Sequence, residues 1–163
     1  MDEIITINGV KYQRVGTDRE PTGWERAQKG DYYYPLSTFL DEVENRTETN
    51  DGIDDSRYDR GMYFSDKELA ENITRAVSLF LRLNRFAAER QEKELDWNGG
   101  GFNWSISYDY DAGDLEPLAF ETISDRELFN VYFDSEETAV AALEEFRVEL
   151  IWYYTEFKNT MRF

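Results

Sequence analysis

A short pattern written twice constrains this chain more than any other feature. Tyr63-Phe64-Ser65-x-x-Glu68 with Ala70 recurs as Tyr132-Phe133-Asp134-x-x-Glu137 with Ala139, at a constant offset of 69 residues. Each copy reads as a strand that ends in an aromatic pair and passes through a capping box into a helix. The cap oxygen accepts from a first-turn N–H, and the glutamate reaches back to the cap N–H. Behind the first copy, Leu69, Ile73, Ala76, Phe80, Leu83 and Ala87 recur at spacings of three and four and predict a helix over 66–94. Behind the second, Ala139, Ala142 or Leu143, Phe146, Leu150, Tyr153 or Tyr154 and Phe157 predict another, starting at Asp134 or Ser135 and running to 158. The repeat is compatible with a duplicated β-β-α unit, and equally with chance, because capping boxes are common.

The remaining segments read as strands and loops. Asn8-Gly9 between Ile5-Thr6-Ile7 and Val10-Lys11-Tyr12 is the signature of a tight hairpin, since both turn positions need positive φ. Residues 16–30 read as loop, with a helical turn around Trp24 to Gln28. Tyr32-Tyr33-Tyr34-Pro35-Leu36 reads as an edge strand, because Pro35 has no N–H for a ladder. A short helix is expected after Ser37, carrying Phe39, Leu40 and Val43. Residues 46–60 are acidic and poor in apolar side chains, and read as a mobile functional loop. From Phe102 to Asp109 the alternation of Trp104, Ile106 and Tyr108 with Ser105 and Ser107 predicts a strand. Asp111-Ala112-Gly113-Asp114 is its turn, and 115–123 and 128–133 complete a meander. The expected fold class is α+β: antiparallel sheet, as one sheet or two small ones, packed against two long amphipathic helices. The expected organisation is 1–95 and 96–163, packed as one compact unit.

Composition excludes whole classes of chemistry. The chain has no cysteine and no histidine. Disulfides, zinc–thiolate sites and Ser-His or Cys-His catalysis are therefore impossible, and any metal would need oxygen ligands. Asp109-x-Asp111-x-Gly113-Asp114 looks like half a calcium loop, but its glycine is one place early and the twelfth position is Phe120. The Gly99-Gly100-Gly101 run lacks the lysine of a phosphate loop. No carboxylate pair is singled out for catalysis, and no lysine lies between Lys93 and Lys158. The expectation is a protein that is not an enzyme and takes no cofactor. Met1-Asp2-Glu3 opens no leader peptide and no apolar run reaches the length of a membrane span, so the expected compartment is the cytoplasm.

The net charge of −17 is concentrated in two stretches. Residues 41–59 hold eight acids and two arginines, and residues 96–145 hold thirteen acids and only Arg126. Such a field repels nucleic acid and anionic membranes and draws the chain toward basic surfaces. The plain interpretation is a solvated surface. The functional one is an imitation of the closely spaced charge of duplex DNA. The candidate partner-binding residues are Asp51, Asp54 and Asp55 in the acidic loop, Asp109, Asp111, Asp114 and Glu116 on the hairpin, and Glu121, Asp125 and Glu127 beyond it. The expected partner is a basic, nucleic-acid-binding host protein. The alternative is an accessory protein whose contacts are led by aromatic side chains.

The stretch Asp96-Trp97-Asn98, then Trp104-Ser105-Ile106-Ser107-Tyr108-Asp109-Tyr110-Asp111, then Val131-Tyr132-Phe133-Asp134-Ser135-Glu136-Glu137-x-Ala139, resembles the C-terminal part of small uncharacterised proteins encoded by phages and prophages of Gram-positive bacteria. Gly61-Met62-Tyr63-Phe64-Ser65 and its helix resemble their mid-region, so the likeness covers residues 60–157. It carries over no catalytic residue. It implies phage origin and, by analogy with small acidic phage proteins, evasion of host defence by an anti-restriction or anti-CRISPR inhibitor that mimics DNA.

Overall fold

The computed structural model describes the backbone of residues 4–7 and 10–13, and residues 21–36, 43–97, 101–120 and 130–157 in full. The fold is α+β. Strands β1 (Ile4–Ile7) and β2 (Val10–Gln13) pair antiparallel with Ile7 opposite Val10, the register of a two-residue connection. Strand β3 (Tyr32–Pro35) is not the expected edge strand: it lies between β4 (Arg46–Thr47) and β5 (Tyr63–Phe64), both antiparallel to it, with Pro35 as its last residue, where a missing N–H interrupts no longer ladder. Helix α1 (Gly52–Asp59) fills the connection from β4 to β5. Helix α2 (Lys67–Arg90) follows. Strands β6 (Asn103–Asp109) and β7 (Asp114–Phe120) form a ribbon, and Phe133 adds one bridge to Trp104 on the other side of β6. Helices α3 (Glu136–Glu145) and α4 (Arg147–Trp152) continue into a π-helical turn over Tyr153–Phe157.

Both repeated joints form helix starts, each one residue later than the capping-box spacing suggests. Asp66 caps α2 by accepting from the Leu69 N–H at 2.7 Å, and Ser135 caps α3 by accepting from the Thr138 N–H at 3.2 Å. The offset of 69 residues survives the shift. Phe64 and Phe133 before the caps are buried, as are Ala70 and Ala139 in the first turns. Gly23 explains why the chain can lie against the start of α2. It has φ +86°, and a Cβ there would come within 2.7 Å of Leu69 Cδ2.

Several expectations are corrected. The second helix is not one long rod: Phe146 leaves helical geometry at φ −106°, ψ 16°, and its ring turns edge-on to Phe86 at 5.6 Å. No helical turn forms at 24–28. The acidic 46–60 segment is β4 and α1 instead of a loop. Residues 8–9, 37–42 and 121–129, where the turn, the short helix and parts of the meander were expected, lie outside the described residues.

Two apolar clusters share α2. Phe64, Ala70 and Val43 form the smaller, with Leu69 and Ile73 against it. Leu79, Leu83 and Phe86 from the second half of α2 join Ile106, Leu115, Val131, Phe133, Ala139, Leu143 and Leu150 in the larger. Along this seam α2 runs antiparallel to the later helices, with Arg82 on Glu149 at 2.6 Å and Arg75 over the Trp152 ring at 3.7 Å. Among the described residues no helix is long and apolar enough to cross a membrane.

Candidate functional site

The structure brings four of the candidate acids together on the β6–β7 ribbon. The register sets Asp109 opposite Asp114 and Ser107 opposite Glu116. Side chains alternate between the two faces of a ribbon, so Asp109, Asp114 and Glu116 share one face, toward its turn end. Trp104, Ile106 and Tyr108 occupy the other face and pack on the larger core. Asp111 stands in the connecting turn, which closes through the Gly113 N–H on the Asp109 carbonyl at 2.8 Å, with Gly113 at φ +71°.

These four acids are not equivalent. Asp109 Oδ1 accepts from the Asp111 N–H at 2.8 Å and the Ala112 N–H at 3.1 Å, so it shapes the turn. Asp114 pairs with Arg147 and also accepts from the Leu115 N–H. Asp111 and Glu116 are exposed, and among the described residues their side chains make no internal bond. Directly opposed carboxylates such as Asp109 and Asp114 are unfavourable in a sheet. Arg147 offsets that repulsion at Asp114.

The loop acids have a different fate, and here the expectation is corrected. Asp54 is buried at 3% exposure. Its Oδ1 accepts from the Tyr33 hydroxyl and its Oδ2 from the Thr49 N–H, both at 2.8 Å. Burial would raise the carboxyl, but these donors outweigh it and hold Asp54 well below the usual carboxylate range. Asp51 caps α1, accepting from the N–H groups of Ile53 and Asp54 at 2.8 and 3.0 Å. Asp55 pairs with Arg26 at 2.7 Å. Asp51-x-x-Asp54 is a capping box with aspartates at both ends, and that spacing was the available signal for α1. Glu121, Asp125 and Glu127 lie outside the described residues.

Sequence reasoning missed the most constrained polar group of all. Glu48 is fully buried. It accepts from Arg26 at 3.1 and 3.2 Å, from the Asn50 N–H at 2.7 Å and from the Tyr63 hydroxyl at 2.7 Å. The Arg26 guanidinium, above all, pulls its carboxyl below the usual range, while burial and Glu48 push the Tyr63 hydroxyl well above its own. The Tyr33 and Tyr63 rings stack at 4.0 Å, so the Asp54 and Glu48 networks are joined through them. Every oxygen of both carboxylates has a donor, which fits a structural role and leaves neither free for proton transfer. Nothing in the residue types around Glu48 announces its burial.

Among the described residues no group of acidic side chains is arranged to hold a metal ion. No family model, curated protein or solved structure matches the chain.

Proposed function

We propose that this chain is a binding protein that lays an acidic β-ribbon on the basic surface of a nucleic-acid-handling protein and blocks it by competing for phosphate-binding lysines and arginines. The observation that carries this reading is the register of β6 and β7. It gathers Asp109, Asp114 and Glu116 on one face at the turn end of the ribbon beside Asp111, with Asp111, Asp114 and Glu116 exposed and Arg147 paired to Asp114. A field maintained at a cost to stability favours a use for it. The expected phage origin, with a defence protein as the target, is the natural setting for such an inhibitor.

A second reading rests on the same hairpin. Tyr110 is 67% exposed, and Phe102 and Leu118 are also exposed, the side-chain types on which an aromatic-led interface would be built. Salt separates the two. The chain is immobilised, offered a bacterial lysate, and washed with rising salt or with competing duplex DNA. Charge-led capture weakens steeply with salt and is displaced by DNA, and Asp111→Asn with Glu116→Gln abolishes it. Capture of the same partner that ignores salt, DNA and both substitutions sinks the charge-led reading in favour of the aromatic one.

A further inference from the structure

An open cavity of about 480 Å³ lies between α2, β6 and the π-helical turn, well apart in chemistry from the acidic ribbon. Its size falls within the roughly 300–1,000 Å³ of small-molecule sites. Its wall holds six aromatic side chains: Trp24, Phe80, Phe133, Tyr153, Tyr154 and Phe157. None of the described lining residues carries a charge.

The cavity also accounts for an oddity of α2. Ile73, Ala76 and Phe80 belong to the apolar stripe expected to be core, yet they are only half-buried, whereas Leu79, Leu83 and Phe86 are buried. The half-buried three line the cavity, beside the buried Leu79 and Leu83. On the opposite wall the chain departs from regular helix. The π-helical turn contributes Tyr153, Tyr154 and Phe157, and such turns are frequent at functional sites. The Tyr154 hydroxyl donates to the Ile106 carbonyl at 2.6 Å and so holds that wall against β6. Polar chemistry comes from Ser105 and Asn130. Ser105 donates to Asn130 Oδ1 at 2.6 Å, which leaves the Asn130 amide nitrogen to donate to a guest.

We infer that this cavity binds a neutral, largely apolar small molecule with a planar ring and one hydrogen-bond acceptor. The acceptor meets the Asn130 amide and the ring lies among the aromatic side chains. Charge decides against an anionic guest such as a fatty acid. Among the described residues the wall offers no cation, and the chain as a whole carries −17. Nor does any described residue of the wall hold a carboxylate for a cationic guest. The inference is independent of the acidic ribbon and survives if that reading fails.

The test uses two fluorescent probes that differ by one sulfonate. The full chain is titrated with neutral N-phenylnaphthylamine and with anionic anilinonaphthalene sulfonate. The expected result is saturable, one-to-one binding of the neutral probe, with the anionic one weaker by about tenfold or more. Ala76→Phe and, separately, Val77→Phe fill the space from α2. Each should weaken the neutral probe by about tenfold or more while the thermal melt holds or rises. No saturable binding to the full chain means that its own segments occupy the space, and overturns the inference. So does anionic binding as tight as neutral, or neutral binding that both folded filling variants leave unchanged.

Discussion

The two halves of the molecule spend their acids in opposite ways. Around β3, β4, β5 and α1, carboxylates go inside: Glu48 and Asp54 sit beneath stacked tyrosines, each oxygen matched to a donor. Around β6, β7, α3 and α4, the buried side chains are almost all apolar and the acids stand outside. A run of acids is therefore not one kind of signal. In the first half it supplies caps and acceptors to a small region with only a small apolar cluster. In the second it is displayed over a core that needs no polar help. The reason is local supply: residues 46–60 contain few apolar side chains, so buried hydrogen bonds and an ion pair between buried Glu48 and exposed Arg26 help to define that packing.

The contrast makes predictions that differ between the halves. The largest effect belongs to the apolar one. Phe133→Ala removes a ring buried between β6 and α3 and should cost about 3–5 kcal/mol in denaturant unfolding, with little dependence on pH. Glu48→Ala should cost about 3 kcal/mol, because it strands the Tyr63 hydroxyl and the Asn50 N–H and leaves Arg26 without its main partner. A loss below about 0.5 kcal/mol would erase the distinction between the halves.

The same contrast has a pH signature. Glu48 and Asp54 lie below their ordinary values in the folded chain, and Glu25, held by Thr22 and Gly23, is brought down from 4.5 to about 2. Groups with depressed folded values stabilise the fold fully above their unfolded values and lose that contribution as pH falls through the folded ones. Stability of the first half should therefore fall from about pH 4.5 toward pH 2, and Glu48→Gln should flatten that slope. Tyr63, raised from 10.0, works in the other direction: its contribution is complete below that pH and is lost as pH climbs above it. Hydrogen exchange resolved along the chain at several pH values would check both limbs. The smallest effect sharpens the comparison from the other side. Asp111→Asn with Glu116→Gln should change stability by less than about 0.5 kcal/mol, since neither side chain supports the fold.

Much of the scaffold was legible because it depends on local pattern. Strands β1 and β2 pair in the expected register, Trp104, Ile106 and Tyr108 share the core face of β6, and both helices start beside the repeated Tyr-Phe pairs. Of the candidate site, the ribbon acids were legible for the same reason: turn and alternation place Asp109, Asp114 and Glu116. The loop acids were misjudged because composition reports polarity, and polarity does not distinguish a solvated carboxylate from one surrounded by donors. The break at Phe146 was equally hidden, since the apolar spacing runs through it without interruption.

By itself, then, the sequence determined the strands β1, β2, β3, β6 and β7, the starts of α2 and α3 to within a residue, and the chemistry excluded by the lack of histidine and cysteine, because these depend on near neighbours or on composition. Tertiary structure decided which acids are buried. Arg26 and Glu48 are 22 residues apart, and Tyr63 is 15 residues beyond Glu48, so their network exists only once β3, β4 and β5 have paired. It likewise decided that four of the six residues in the apolar stripe on α2 face a cavity. Burial is a property of what packs opposite a residue, and that partner is named only when distant segments meet.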